Sequence, residues 1–278
     1  KHGNFAYFTD DDPIGTCLFY YGEWAEQEFD VIANLIGPHS VCLDIGANIG
    51  THTIWLSKQC NKGLVVSIEP QLYIFELLAT NCILNEAFNV IPHNCALSND
   101  YEYIKVLVNG PAAEGKKNYG EFRLDKYNAD QGLDLSCYKL DDIEIPNINQ
   151  LDFMKIDVEE HETSVLQSGE KTITKYKPSM YVEFNSSNGN VDLINLLNDY
   201  GYNCYWHVYP KFNINNHKKQ QANVWINPGE RLGKDNIHHF FEGNLVAIHK
   251  HRAHTSAADI IQPNDNIVKY LERHGELK

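Results

Sequence analysis

The sequence predicts an α/β protein, a mainly parallel sheet with helices on both faces. Short apolar runs alternate with stretches of helical period, and the first run ends in an acid followed at once by a glycine turn. Parallel strands need crossover connections, which cover both sheet faces and leave ligands the crevice at the carboxyl ends of the strands.

The first strand is 41–45, which breaks into Gly46-Ala47-Asn48-Ile49-Gly50 before 51–56 turns helical. Gly46 and Gly50 are expected to let the backbone approach a ligand with no Cβ in the way, and the free N–H groups of the helix face the same spot. A dinucleotide fingerprint would read G-x-G-x-x-G; here the glycines stand at 46 and 50, with Asn48 between them and Asp44 just ahead. Residues 64–68 form a second strand ending at Glu69-Pro70, and behind it Leu72, Phe75, Leu78, Ala79 and Cys82 share one helical face. A third strand over 89–95 and an extended run over 103–108 follow, and the polar, Gly-containing stretch 110–134 reads as a loop insertion. Strands resume at 151–157, 179–184, 202–208 and 244–249, with helices over 159–174 and 190–200 between them.

A chain of 278 residues can bury one full core, and it reads as a single domain over 1–278, with an N-terminal lid or helix in 1–36 and pocket-shaping insertions at 110–134 and 208–243. No apolar run is long enough to span a bilayer, so no membrane insertion is expected. The net charge of −14 repels phosphate backbones, which argues against nucleic acid as a partner. Seven cysteines contain no C-x-x-C pair and sit in apolar segments, as reduced, buried thiols of a cytoplasmic protein would. The chain opens at Lys1 without a charged-then-apolar leader, as a piece of a longer polypeptide would.

Glu69 lies 25 positions after Asp44, where a carboxylate accepts hydrogen bonds from both hydroxyls of a ribose, a device that NAD sites also use. Asn94-Cys95-Ala96 closes the third strand and offers an amide and backbone N–H groups to the edge of an adenine. Asp157 and Glu159, with His161 and Glu162 close by, crowd negative charge beside the crevice, which costs energy unless a cation, a shared proton or a sulfonium relieves it. Glu160 and Glu162 also read as acids complementing a helix N-terminus. His207 stands among Tyr205, Trp206 and Tyr209, where a chemical role and a packed-core role are both open. The histidines at 238, 239, 249, 251 and 254 show no ligand spacing and read as a solvated basic edge.

Together, Asp44 to Gly50, Glu69-Pro70, Asn94 to Leu97, Lys139-Leu140-Asp141-Asp142 and Lys155-Ile156-Asp157-Val158-Glu159 with Glu162 and Leu166 resemble the FkbM family of S-adenosylmethionine (SAM)-dependent methyltransferases. Tyr21-Gly22-Glu23-Trp24 with Glu28 resembles the lid of one branch. Asn118-Tyr119-Gly120 resembles its central loop, and Trp206-His207, Phe212-Asn213, Asn216, Asn223-Val224 and Asn244-Leu245 resemble its tail. Glu160 departs from the family, which usually has glycine there.

The resemblance implies a Rossmann-like class I methyltransferase with a mainly parallel seven-stranded sheet. It implies SAM held by Glu28, Asp44, Gly46, Ala47, Asn48, Gly50, Thr53, Glu69, Pro70, Asn94, Ala96 and Asp157. The implied reaction is O-methylation of a small-molecule or saccharide hydroxyl. Such a hydroxyl is a poor nucleophile while protonated, so a base or a metal is needed; Asp157, Glu159, Glu183 and His207 are the candidate catalytic residues. Asp157 and Glu183 are the candidate ligands of a magnesium ion. Asn118, Tyr119, Tyr205, Trp206 and Asn216 are the candidate acceptor contacts, aromatic faces covering a sugar ring while amides bond its hydroxyls. An NAD-dependent oxidoreductase and a non-catalytic binding module on the same fold are the alternatives; the missing third glycine opposes the first, and the intact Asp44, Glu69 and Asp157 oppose the second.

Overall fold

The computed structural model describes residues 1–99, 103–106, 118–120, 133–146, 149–184, 191–224 and 241–252. Two short helices, α1 (Ile14–Tyr20) and α2 (Glu26–Ile32), precede the sheet. The chain then runs through β1 (Val41–Ile45), α3 (Thr51–Gln59), β2 (Leu64–Ile68), α4 (Leu72–Leu84) and β3 (Val90–His93). Four small strands follow: β4 (Ala96–Leu97), β5 (Ile104–Val106), β6 (Leu133–Leu135) and β7 (Cys137–Tyr138). The remaining elements are β8 (Phe153–Ile156), α5 (Glu162–Ser168), α6 (Glu170–Tyr176), β9 (Ser179–Glu183), α7 (Val191–Asp199), β10 (Tyr202–Pro210) and β11 (Phe241–His249).

Seven strands form one sheet in the order β10-β11-β9-β8-β1-β2-β3. All neighbours are parallel except β11, which runs antiparallel between β9 and β10. Counted along the sheet's own strands, the seventh is therefore inserted between the fifth and the sixth. The chain winds outward from β1 through β2 and β3 on one side and through β8 and β9 on the other, so the order reverses beside β1 and opens a crevice at the strand ends there.

Strand alternation divides the core. Leu43, Ile45, Val66, Met154, Ile156, Met180 and Val182 pack against Val165, Leu166, Ile173, Leu193 and Leu197 of α5, α6 and α7. Cys42, Val65, Phe153, Tyr181 and Val246 face Phe29, Ile32, Trp55 and Leu56 of α2 and α3 on the other side. Burial on both faces is why β1 and β2 read as unbroken apolar runs.

Four local expectations are corrected. The third strand ends at His93, and β4 leaves the sheet to pair with β7. Of the run 103–108, Ile104–Val106 pairs antiparallel with β6, also outside the main sheet. On α4 the buried row is Ile74, Leu78, Asn81 and Cys82, while Leu72 in the first turn is 39% exposed; a 3.6-residue period fits either row, and only contact with the sheet selects one. The single helix over 159–174 is two, α5 and α6, broken at Gly169. A Cβ there would stand 2.4 Å from Leu140 Cδ2, so glycine lets a one-turn 3-10 segment, Leu140–Asp142, pack against the break. Asp141 then caps α6 by accepting from the backbone N–H groups of Thr172 (2.8 Å) and Lys171 (3.2 Å).

All seven cysteines are buried free thiols. No helix among the described residues is long and apolar enough to cross a membrane. His238, His239 and His254 lie outside the described residues. His249 is buried at 6% exposure and stacks edge-on to Tyr202, which corrects its assignment to a solvated edge.

Candidate active site

The carboxyl ends of β1, β2, β8 and β9 bring Asp44, Glu69, Asp157 and Glu183 to the crevice. The backbone N–H groups of Gly46 and Ala47 both donate to Ile68 O, at 3.0 and 2.9 Å, folding the turn over the end of β2. Gly46 (φ +79°), Asn48 (φ +51°) and Gly50 (φ +90°) are all left-handed. The glycines answer to protein neighbours: a Cβ on Gly46 would lie 1.7 Å from the Asp157 carbonyl oxygen, and one on Gly50 would lie 2.7 Å from Leu78 Cδ1. These contacts give both glycines a packing reason as well, at the residue that follows β8 and at α4.

Asp44 is fully buried; its Oδ2 accepts from Thr53 Oγ1 at 2.6 Å, and its Oδ1 has no partner among the described residues. Glu69 accepts from the backbone N–H groups of Asn48 and Gln71, each at 2.9 Å. Burial pushes its carboxyl up to about 7, although those two bonds oppose the shift. Asn94 turns away from the crevice and donates to the carbonyls of Glu69 and Pro70, bracing the turn after β2. Ala96 and its neighbours Cys95 and Leu97 line the crevice instead.

Asp157 is half-buried and pairs with Lys155 at 2.8 Å, a lysine that is only 4% exposed. Burial opposes the charge on both, yet each ion holds the other: the Asp157 pKa lies below its ordinary value and that of Lys155 above. Glu183 is moved the other way, well above the usual carboxylate range, by burial and by the charges of Asp157 and Glu159. Carboxylate oxygens of Asp157, Glu159 and Glu183 lie within 4.8 Å of one another. The two neighbouring acids are thus shifted in opposite directions, Asp157 toward its ionised form and Glu183 toward its protonated one.

Glu159 (φ +53°) and Glu160 (φ +71°) take consecutive left-handed conformations, which explains why glycine suits position 160. Replacing Glu160 with glycine is expected to stabilise the fold by about 0.5 to 1 kcal/mol, since relief of the left-handed strain outweighs the added unfolded-chain entropy; valine there is expected to destabilise it. Urea-denaturation midpoints of the two variants check this.

Around the Asp157 end lies a cavity of about 360 Å³, lined in part by Trp24, Glu28, His52, Asn118, Tyr209 and Asn244. Glu28 of α2 is buried and engaged: it meets His52 Nε2 at 2.7 Å, accepts from Asn244 Nδ2 at 3.0 Å, and accepts from the Tyr209 hydroxyl. It stitches the N-terminal segment to α3, β10 and β11.

Other expected contacts fall elsewhere. Trp206 is 6% exposed and packs edge-on to Phe184 in the core on the α5–α7 side, whereas Tyr205 packs on the α2–α3 side. His207 sits behind the cavity wall, its Nδ1 2.7 Å from the Tyr181 hydroxyl. Tyr119 is tied to the N-terminal segment: its backbone N–H donates to Asp11 (3.1 Å) and its hydroxyl to Asp10 (2.9 Å). Asn216 is 1% exposed and donates to the carbonyls of Asn213 and Gln220, which shapes its own loop. Five cavity residues had no site role assigned from the sequence: Trp24, Lys155 and Asn213, which stand within the family-like motifs, and His52 and Glu242. A lysine inside the apolar run Phe153–Ile156 was the one legible signal, since an interior cation needs a partner.

A seven-stranded sheet in this order, with a glycine turn after its first strand and acids at the ends of the next, defines a class I methyltransferase. Residues 44–204 match the methyltransferase FkbM domain, and the chain belongs to that family. A fungal protein called methyltransferase 1, from Beauveria bassiana, is 23% identical over 146 residues, which cover 46% of this chain and 57% of the relative, a little over half of its length. Among solved structures, methyltransferase FkbM from Methylobacillus flagellatus is 17% identical with a TM-score of 0.43, covering 76% of this chain and 44% of that one. A SAM-dependent methyltransferase from Aquifex aeolicus is 14% identical with a TM-score of 0.41, covering 86% and 94%.

Proposed function

We propose that this methyltransferase transfers a methyl group from SAM to a hydroxyl of a small molecule or saccharide, with Asp157 as the base. The observation that carries the reading is the buried Lys155 paired with Asp157 at 2.8 Å, which keeps a carboxylate ionised at the mouth of the cavity. The crevice suits SAM: Asp44 Oδ1 is buried without a partner among the described residues, and Glu69 faces the same crevice from the end of β2. SAM supplies an electrophilic methyl group. Asp157 accepts the acceptor's hydroxyl proton, and Glu183 lines the cavity beside it. Trp24 and Tyr209 offer the aromatic faces, and Asn118, Asn213 and Asn244 the amides, in place of Trp206, Tyr119 and Asn216.

A magnesium ion fits this arrangement poorly, because the Lys155 ammonium already supplies the positive charge at Asp157. We take 1–278 as one catalytic unit, with 1–36 and the described parts of 110–134 and 208–243 bordering the cavity; 110–117, 121–132, 225–240 and 253–278 lie outside the described residues.

The test is product mass analysis after incubation with labelled SAM and a panel of free sugars, glycans, RNA and proteins, with and without EDTA. Preferred labelling of RNA or protein, or loss of transfer in EDTA, would overturn the reading. In the same assay series, Glu69→Ala is expected to weaken S-adenosylhomocysteine binding by about 1 to 3 kcal/mol, the scale for removing a partner of buried hydroxyls. Unchanged calorimetric affinity would remove Glu69 from the cofactor site.

A further inference from the structure

Among the described residues, eight carboxyl groups line the cavity against two lysines and one histidine. Each of the three bases is already matched: Lys155 to Asp157 at 2.8 Å, Lys211 to Glu242 at 2.8 Å, and His52 to Glu28 at 2.7 Å. A fourth carboxyl, Glu26, is met by Lys1 and His2, which leaves Glu23, Glu69, Glu159 and Glu183 outside these pairs. SAM carries a sulfonium, an ammonium and a carboxylate, so it adds one net positive charge and leaves the cavity acidic. A separate observation points to a missing hydrogen-bond donor. Asn244, 3% exposed, stands beside Glu183 across the β9–β11 ladder. Its amide nitrogen donates to Glu28 and to the Tyr181 hydroxyl (3.2 Å), while its Oδ1 has no partner among the described residues.

We infer that the acceptor is a cationic hydroxyl compound, an amine-bearing saccharide in its simplest form, whose ammonium group is received by Glu159, Glu183, Glu242 and Asn244 Oδ1. An ammonium brings three donors and no acceptor, which matches a wall made of carboxyl and amide oxygens. A neutral sugar satisfies the hydrogen bonds but not the charge, and an anionic one is repelled in a cavity where charges are poorly screened. The inference rests on the reading of this cavity as the acceptor site.

Calorimetry on the S-adenosylhomocysteine-loaded protein with glucosamine, glucose and glucuronate tests it. Glucosamine is expected to bind about tenfold more tightly than glucose, the difference of a charge-assisted over a neutral hydrogen bond, with glucuronate weakest. The double variant Glu183→Gln/Glu242→Gln is expected to abolish the preference. Equal affinities, preference for glucuronate, undetectable glucosamine binding, or a preference that survives the double variant would each overturn the inference. Labelled SAM separates it from the broader reading: a methyl group found on the glucosamine nitrogen would overturn O-methylation while leaving the charge preference standing.

Discussion

Replacing Asp157 with alanine is expected to lower methyl transfer by about 10²- to 10⁴-fold, the range for losing a positioned general base. Asp157 stands at the cavity with a buried lysine holding its charge, whereas burial and neighbouring acids push the carboxyl of Glu183 well above the usual range. Truncation also strands Lys155 in the interior, although the Asp157 side chain is 40% exposed, so the cost falls short of that for breaking a fully buried pair. Asp44 and Glu28 also raise the Lys155 pKa, so part of that cost is shared. Asp157→Asn keeps an oxygen opposite Lys155 and isolates the chemistry: it should fold, bind S-adenosylhomocysteine nearly as the parent does, and still fail to turn over. A folded Asp157→Asn protein with the parent rate would move the base to Glu159 or Glu183. His207 would not be next, because it lies behind the wall against Tyr181.

Gly46→Ala is expected to be the most destabilising glycine-to-alanine change among the described residues, about 4 kcal/mol or more. The new Cβ would meet the Asp157 carbonyl at 1.7 Å, and the obstacle is backbone, pinned by the bond from Asp157 N–H to Ile45 O at 2.9 Å. Moving it pulls β8 away from β1. Gly50→Ala is the contrast: it also sits at positive φ, but its nearest neighbour is the Leu78 side chain, which can rotate, so a loss of about 1 to 2 kcal/mol is expected. Chemical denaturation of the two variants side by side distinguishes the cases; an equal, small loss would mean that the turn opens without disturbing β8.

The elements that the sequence exposed are those whose causes are local. Gly46 and Gly50 mark left-handed turns, and the runs at 41–45 and 64–68 are apolar because both faces of their strands are covered. Asp44, Glu69, Asp157 and Glu183 were legible because each follows such a run. What stayed hidden depends on distant partners. Glu28 meets groups 24, 181 and 216 residues away, so no window of sequence reveals the hydrogen bonds that hold it at the cavity wall. Tyr205 and Trp206 are adjacent and point to opposite faces, and aromatic composition alone cannot say which face borders a cavity. The two-helix break at Gly169 depends on Leu140, nearly thirty positions earlier.

The position of β11 sets an order of events for a chain emerging from the ribosome. β9 and β10 are separated in the sheet by a strand made after both of them. Until Phe241–His249 has been synthesised, each presents an unpaired edge of backbone donors and acceptors, the kind of surface that captures other chains. β11 also carries Glu242 and Asn244 into the cavity. Closure of the sheet and completion of the cavity wall are therefore one late event in the life of the nascent chain, and a polypeptide stopped short of residue 241 would be both sticky and inactive.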